Sequence, residues 1–346
     1  MSQATKRVAK SMVAVLLALA TLPSVAEAHG PVAPIASSYM ARANQVPAGL
    51  KANAIDGDQR MWLRVQPDQT VIVADYRGAP YVRFSPSGID VNHNSEMYYL
   101  NQTPVAETPP SSLSASTPPS WHRVSGGHSY EWHDGRLHAL ATVALSPGAT
   151  FAGRWQIPVR IDGRAAAISG GLYRAHNPSI VWFWPIVVLL ACVLAAWRLR
   201  RPELDARLAR ALGIVALIAG AGAGAARQLH GRPTVGVFAI VELAVLLALV
   251  AWGLWRVLFA HAGYFTYFAI AFVAIAEGLE LVPTLLHGFV LAAVPAFVAR
   301  TLSVVCLGTG IGLLPIAFRM ATQAAGSEPV AEEDLEEEDD GAWELA

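Results

Sequence analysis

The sequence predicts two regions of different fold class, an exported all-β domain followed by an all-α membrane domain of about five helices. Three observations predict this division. Apolar residues make up 54% and charged residues only 15% of the 346 residues, a balance typical of several membrane spans. Residues 179–199 form an apolar run with no charge before Arg198, long enough to cross a bilayer. Short β-type runs precede it, and further apolar segments follow it.

Residues 1–28 have the parts of a secretory signal peptide. A basic start at residues 6–10 precedes an apolar centre at residues 12–22, and the A-x-A motif at residues 26–28 is typical of a cleavage site. Cleavage there leaves His29 as the first residue of the mature chain. An uncleaved membrane anchor is the alternative.

Residues 29–178 are predicted to form the exported domain, a β-sandwich of the immunoglobulin type. Its short runs are rich in β-branched and aromatic residues and are separated by turns that contain Asp, Gly and Pro. The predicted strands are 61–65, 70–76, 81–84, 97–100, 129–132, 137–145, 153–159 and 166–173. Residues 103–120 are rich in Pro, Ser and Thr, which predicts a mobile surface loop.

The membrane domain is predicted over residues 179–320, with its orientation set by charge. Five arginines lie within residues 198–210, and the positive-inside rule places this loop in the cytoplasm of a plasma (inner) membrane protein. The later spans are predicted at 209–226, 235–257, 264–284 and 299–318, which leaves the C-terminus inside. Residues 286–298, which contain Pro295, are predicted as a re-entrant or interfacial segment.

Other features limit the partners. The acidic residues 321–346 predict a disordered cytoplasmic tail, either a solvated end or a docking segment around Trp343 for a basic cytoplasmic protein. No basic patch with interleaved aromatic residues is present, so nucleic acid is not an expected partner. Paired glycines spaced by four residues allow either tight packing within one bundle or helix–helix self-association. The expected partners are the lipid bilayer and a metal ion.

The predicted N-terminal histidine suggests the metal. His29 offers its α-amine and a ring nitrogen to one ion, a chelate that suits tetragonal Cu(II). A second candidate is the segment from His128 to His138, in which His133 and His138 flank Asp134. We expect a strand, an Asp-Gly turn and a returning strand here, which places a histidine and a carboxylate near one sheet edge. Solvated surface histidines are the alternative.

These residues carry a resemblance. An exported sandwich that begins with His29, carries Asp134 with His138 or His133 late in the domain, and is joined to a polytopic membrane segment resembles the copper-binding CopC-type proteins fused to CopD-type membrane partners. The resemblance implies a cupredoxin-like sandwich that holds Cu(II) through the N-terminal histidine, an aspartate and a second histidine. The family's D-x-H spacing is here D-x-x-x-H. The start at His29 is also similar to the exported part of the particulate methane monooxygenase B subunit.

Ionisable residues within the apolar segments predict a polar path through the membrane. Glu242, Glu277, Glu280 and His287 lie in or beside the predicted spans, where charges are costly and commonly mark an ion or proton path. The alternatives are glutamates hydrogen-bonded between helices, or a pair between Glu242 and Arg300.

Together these patterns predict a membrane-anchored protein that binds a divalent metal, interpreted as Cu(II), outside the membrane and takes part in copper uptake, handling or sensing. No enzymatic activity is predicted. The alternatives are an ion- or proton-coupled transporter that uses the intramembrane glutamates, and a non-catalytic membrane interaction module.

Overall fold

The computed structural model describes residues 34–102, 106–138, 148–198, 202–230, 235–260 and 262–326. The predicted signal peptide, its cleavage site, His29 and residues 327–346 lie outside this part of the chain. The strands are β1 Ala36–Ser37, β2 Tyr39–Gln45, β3 Leu50–Ile55, β4 Arg60–Val65, β5 Val71–Ala74, β6 Pro80–Ser85, β7 Gly88–Asn92, β8 Trp121–Ser125, β9 Ser129–His133, β10 Phe151–Ile161, β11 Arg164–Arg174 and β12 Phe289–Val290. The helices are α1 Glu96–Leu100, α2 Trp184–Arg198, α3 Pro202–Gln228, α4 Val237–Leu258, α5 Tyr264–Glu280, α6 Pro283–Leu286 and α7 Ala296–Gly326.

Two antiparallel sheets build the N-terminal domain. The seven-stranded sheet has the order β2-β11-β10-β5-β6-β7-β8, and the three-stranded sheet has the order β3-β4-β9. Leu63 and Trp132 of the smaller sheet share one hydrophobic core with Val73, Phe84 and Ile157 of the larger sheet. Each such side chain contributes about 1.5–3 kcal/mol when it is fully buried. The all-β class is confirmed, whereas the immunoglobulin or cupredoxin type stays a prediction.

One predicted strand is wrong, and a second differs from the prediction at its start. Residues 97–100 belong to helix α1, in which Met97 is buried in the core and Arg77 forms an ion pair with Glu96 at 2.6 Å. The predicted strand 137–145 begins in a 3₁₀ turn at Gly135–Leu137, and residues 139–147 lie outside the described part. At Met97 and at Leu137, burial of the side chain in the core overrides the local preference for strand, and the rest of the prediction for 139–145 is not tested by the described residues.

Residues 106–120, the described part of the predicted loop, contain neither helix nor strand and are mostly exposed. Hydrogen bonds nevertheless tie the loop to the domain. Arg77 donates to the carbonyl of Leu113 at 3.1 Å, and Asn94 donates to the carbonyl of Pro118 at 2.8 Å.

The C-terminal region is helical, and four of its helices are long and apolar enough to cross a membrane: Leu204–Gln228, Val237–Leu258, Tyr264–Leu286 and Ala296–Ala324. This confirms a multi-pass membrane protein. The remaining predicted span, 179–199, contains a 3₁₀ turn at Ile180–Phe183 and the 15-residue helix α2, so its crossing stays a prediction. Helix α7 continues to Gly326, past the predicted start of the disordered tail at residue 321.

Three of the four paired glycines pack against neighbouring helices of the same chain, whereas nothing lies within 4 Å of a Cβ placed at Gly220. A side chain at Gly308 or Gly312 of α7 would meet Leu189 or Val193 of α2, and one at Gly224 would meet Leu246. The contacts of Gly308 and Gly312 agree with the intrachain alternative for that pair, since they occupy the glycine face that would otherwise approach another copy.

The segment predicted as re-entrant or interfacial joins the two domains. Strand β12 pairs with β1, and the amide of Leu291 donates to the carbonyl of Ile35 at 2.8 Å. Ile35 is buried against Ala219 and Leu281 of the helical domain. The first described residues of the β domain are therefore anchored on the helical domain.

Candidate functional site

Strand β9 brings His133 to the end of the three-stranded sheet, where His133 lies opposite Arg60 of β4. The chain then turns at Asp134, whose carboxylate accepts a hydrogen bond from the amide of Arg136 at 3.1 Å and so starts the 3₁₀ turn. This turn replaces the predicted Asp-Gly hairpin because Leu137 is drawn into the core. It also folds His138 back onto His133.

The Asp134 carboxylate is completely buried and is occupied by structural contacts. Arg136 binds it through Nε at 2.8 Å and through Nη2 at 2.7 Å. The indole of Trp132 donates to its Oδ2 at 2.8 Å. Both oxygens are thereby used to hold the core and the turn together, so these contacts do not support the ligand role that the resemblance implies for Asp134.

The two histidines meet at the tips of their rings. The Nε2 atoms of His133 and His138 are 3.2 Å apart, with ring centroids at 4.8 Å. On the opposite side of the His138 ring, Nδ1 lies 3.5 Å from Oδ2 of Asp58. Partial burial and the neighbouring His138 lower the pKa of His133 below its ordinary value, which favours a neutral imidazole with a free lone pair.

Asp58 is the functional candidate that sequence reasoning missed. It lies in the turn between β3 and β4, more than seventy residues before the histidines. Only the pairing of β4 with β9 brings this turn beside His138, and a single sequence does not reveal that pairing. Within the described ranges, no three or more His, Cys, Asp or Glu side chains converge as a complete metal site.

The paired histidines lie close to the junction of the two domains. The amide of Ala41 donates to the carbonyl of Gly57 at 2.9 Å, and a side chain at Gly57 would stand 2.8 Å from Cβ of Ser37. The next residue, Ser38, places its hydroxyl 2.9 Å from Nδ1 of His287. Ser37 and Ser38 therefore connect the turn that carries Asp58 with His287 of the helical domain.

The predicted polar path contains a partly formed cluster at the end of the helices nearest the β domain. Arg227 of α3 lies 3.3 Å from Oε1 of the buried Glu277 on α5. Gln228 donates to Glu242 at 2.6 Å, whereas Glu280 is exposed. The other oxygen of Glu277 and the Nε of Arg227 are buried without a hydrogen-bond partner among the described residues.

The alternative pair between Glu242 and Arg300 is not formed among the described residues, where Glu242 accepts from Gln228 at 2.6 Å and Arg300 donates to the carbonyl of Thr284 at 2.9 Å. Arg227 was not among the predicted polar residues. Its position near the end of an apolar run resembles that of an ordinary flanking arginine, so only the helix packing reveals its carboxylate partner.

Comparison with known proteins gives no family for the chain. No family model, no curated protein and no solved structure matches it. The arrangement of its side chains is therefore what supports a functional conclusion.

Proposed function

We propose that the protein is a membrane-anchored copper-handling protein whose extracytoplasmic domain binds Cu(II) through His133 and His138. The observation that carries this proposal is the 3.2 Å separation of their Nε2 atoms. Two nitrogens bound to one ion at about 2.0–2.1 Å, in square or tetrahedral geometry, lie about 2.9–3.4 Å apart. The pair therefore fits two ligand positions around one ion.

Asp58 supports the same proposal from the far side of the ring. A carboxylate near Nδ1 of His138 favours the tautomer that carries its proton there, which leaves the Nε2 lone pair for the metal. The residues present thus fit two imidazole ligands and one orienting carboxylate. Imidazole suits copper, zinc and nickel, and the choice of Cu(II) rests on the additional donors proposed below.

His29 supplies those donors in this proposal. It precedes the first described residue, Pro34, by five positions, a stretch that spans at most about 17 Å. Three residues after Pro34, Ser37 lies against Gly57, which is the residue next to Asp58. An α-amine and an imidazole from His29 would complete four nitrogen donors with His133 and His138, a set that Cu(II) accepts in one plane.

The location at the domain junction supports a role in copper uptake, handling or sensing rather than simple storage. The N-terminal segment contacts His287 through Ser38, so a change of position on metal binding would be transmitted to the helical domain. We assign the β domain to the extracytoplasmic side and the C-terminus to the cytoplasm, as the charge pattern predicts.

Full-length protein purified with its processed start tests the proposal. We expect one tightly bound Cu(II) per chain with a nitrogen-rich tetragonal electron paramagnetic resonance spectrum. His133→Ala and His138→Ala should each weaken binding at least about 100-fold, and Asp58→Asn about 10-fold. His128→Ala is the matched control, because it removes a histidine from the same segment without touching the pair.

A second version of the protein carries one extra residue before His29. The additional residue moves the amine away from the imidazole, so binding should weaken by orders of magnitude while folding is unchanged. The copper proposal fails if His133→Ala, His138→Ala and the extended start all bind copper as the unmodified protein does.

The helical domain favours a second candidate, an ion- or proton-coupled transporter. Its support is Glu277, a buried carboxylate with one oxygen unpartnered among the described residues and with Arg227 at 3.3 Å. Such a group inside a membrane domain can exchange a proton when its surroundings change. Proton or metal flux into proteoliposomes would separate this candidate from a binding role alone.

A further inference from the structure

The outer face of the seven-stranded sheet contains a cleft remote from the paired histidines. It has a volume of about 620 Å³ and lies where β2, β11 and β10 run side by side. Its polar lining consists of Asn44, Gln45, Arg154, Gln156 and Ser169, and its aromatic lining of Phe151 and Trp155.

The strand register explains why these side chains share one face. Gln45, Ser169 and Gln156 are direct neighbours across the three strands, and Arg154 lies opposite Gly171 in the parallel row. The register of β2 shifts between Ser169 and Gly170, which adds Asn44 to the lining as the extra residue of a bulge.

Gly171 provides the floor of the cleft. A Cβ atom there would lie 3.1 Å from ring atoms of both Phe151 and Tyr173, so the glycine allows these two rings to pack closely against the strand. Phe151 itself is 47% exposed. The cleft thus combines an exposed aromatic ring with a row of amide and hydroxyl groups.

The face around the cleft is strongly basic. Arg42 and Arg154 flank Gly171, and neither has a carboxylate partner among the residues that the structure describes. Along the sheet, Arg160 and Arg83 lie on the same face, and the only carboxylate in their row, Asp90, is shared between Arg83 and Arg123. Positive charge on this face therefore exceeds negative charge and favours an anionic ligand.

We infer that this cleft binds an anionic polysaccharide outside the membrane. Guanidinium groups recognise carboxylates through paired hydrogen bonds, which suits Arg42 and Arg154 to the acidic groups of a uronic-acid polymer. Amide side chains donate and accept at once, as adjacent sugar hydroxyls require, and Ser169 already orients Gln45 through a 3.0 Å hydrogen bond. Phe151 offers an apolar surface for the C–H face of a sugar ring.

A lipid surface is the less suitable occupant. Strand β11 leads toward the helical domain at Arg174, and Ser169 lies five residues before that end, about 17 Å away along the strand. The amide row is therefore set back from that end of the domain, whereas Arg42 and Arg154, opposite Gly171, lie about 10 Å from it, so the test includes anionic lipid as a competing occupant.

The test uses full-length protein in nanodiscs of neutral phosphatidylcholine, with polygalacturonate as the probe and dextran as the neutral polymer. We expect binding to polygalacturonate but not to dextran, measured by isothermal titration calorimetry. Arg154→Gln should weaken it about 10-fold. Arg164→Gln is the matched control, because Arg164 carries the same charge at the exposed β10–β11 turn and lies five residues from Ser169. This variant should keep the affinity within about twofold.

Three outcomes overturn the inference. Equal losses for Arg154→Gln and Arg164→Gln would mean general charge attraction without a site. Binding to vesicles that contain phosphatidylglycerol but not to polygalacturonate would identify a lipid surface as the occupant. If the protein binds none of these probes, the inference that the cleft binds an anionic polysaccharide is wrong. The test is independent of copper, because His133→Ala leaves the cleft intact.

Discussion

The two domains each hold a buried carboxylate beside an arginine, and the two pairs are built differently. In the β domain, Asp134 receives two hydrogen bonds from the Arg136 guanidinium, at 2.8 and 2.7 Å, one from the Arg136 amide at 3.1 Å and one from Trp132 at 2.8 Å. In the helical domain, Glu277 has one contact with Arg227, at 3.3 Å. Its second oxygen is buried without a partner among the described residues.

The difference separates a structural charge from a candidate functional one. A buried ion pair offsets its desolvation only when its geometry is good and its remaining lone pairs are used. Asp134 meets this condition and therefore stabilises the turn that positions His138. Glu277 does not meet it, and an incompletely paired carboxylate in a membrane domain is expected where a proton or ion is exchanged.

The largest effect is expected at Asp134. Asp134→Asn removes the charge that Arg136 requires and leaves a buried guanidinium uncompensated, so the free energy of unfolding should fall by about 3–5 kcal/mol. Chemical denaturation monitored by tryptophan fluorescence reports this, since Trp132 lies in the same contact network.

Glu131→Gln provides the matched control for that measurement. The pair between Glu131 and Arg60 is formed at 2.8 Å, but Glu131 is 42% exposed, so its loss should cost at most about 0.5 kcal/mol. If Asp134→Asn instead left stability unchanged and abolished copper binding, Asp134 would be a metal ligand and the distinction between the two pairs would fail.

The sequence predicts this molecule best where a periodic pattern decides the structure. The apolar helices were predictable because lipid requires apolar side chains along a whole span. The strands predicted at 153–159 and 166–173 were predictable because a strand with one buried face alternates apolar and polar residues. Helix α1 was not predictable, because Met97 and Tyr98 have the composition of a strand, whereas the burial of Met97 and the pair between Glu96 and Arg77 are tertiary contacts.

The candidate site was predictable in its histidines but not in its carboxylate. Proximity in sequence drew attention to Asp134, whereas Asp58 approaches His138 only through the pairing of β4 with β9. Charges that interact across distant elements leave no local pattern, and the same applies to Arg227 and Glu277.

A smaller effect on stability is expected at Glu277. Glu277→Gln removes one weak ion contact, so the helical domain should lose about 1 kcal/mol, well below the effect of Asp134→Asn. Flux in proteoliposomes, by contrast, should be abolished if the carboxylate exchanges a proton. Glu280→Gln provides the comparison, because Glu280 belongs to the same predicted path but is exposed, so its loss should reduce flux less than the loss of Glu277 does. Normal flux in Glu277→Gln would return this residue to a packing role.

The smallest effect is expected at His93. Its ring extends the comparison of the two carboxylate pairs to a titratable group whose two faces contact aromatic rings and not a carboxylate. The ring stacks between Tyr98 and His122, with centroid distances of 3.9 and 3.7 Å. Partial burial and the neighbouring His122 lower the pKa of His93 below its ordinary value. The unfolded chain therefore binds this proton more tightly than the folded chain does. Acidification from pH 7.5 to 5 should lower the free energy of unfolding by about 1 kcal/mol or less at this position.

Urea denaturation of the full-length protein at several pH values measures this loss. His93→Phe keeps an aromatic ring between Tyr98 and His122 but cannot take up a proton, so its unfolding free energy should depend less steeply on pH. Some dependence should remain, because the pKa of His133 is also lowered, first by burial and then by His138. An unchanged slope in His93→Phe would mean that charge on His93 is tolerated without a compensating carboxylate. The distinction between Asp134 and Glu277 assumes that a charge removed from water is destabilising unless all of its hydrogen-bond partners are present. A charge on His93 that costs nothing would weaken that assumption.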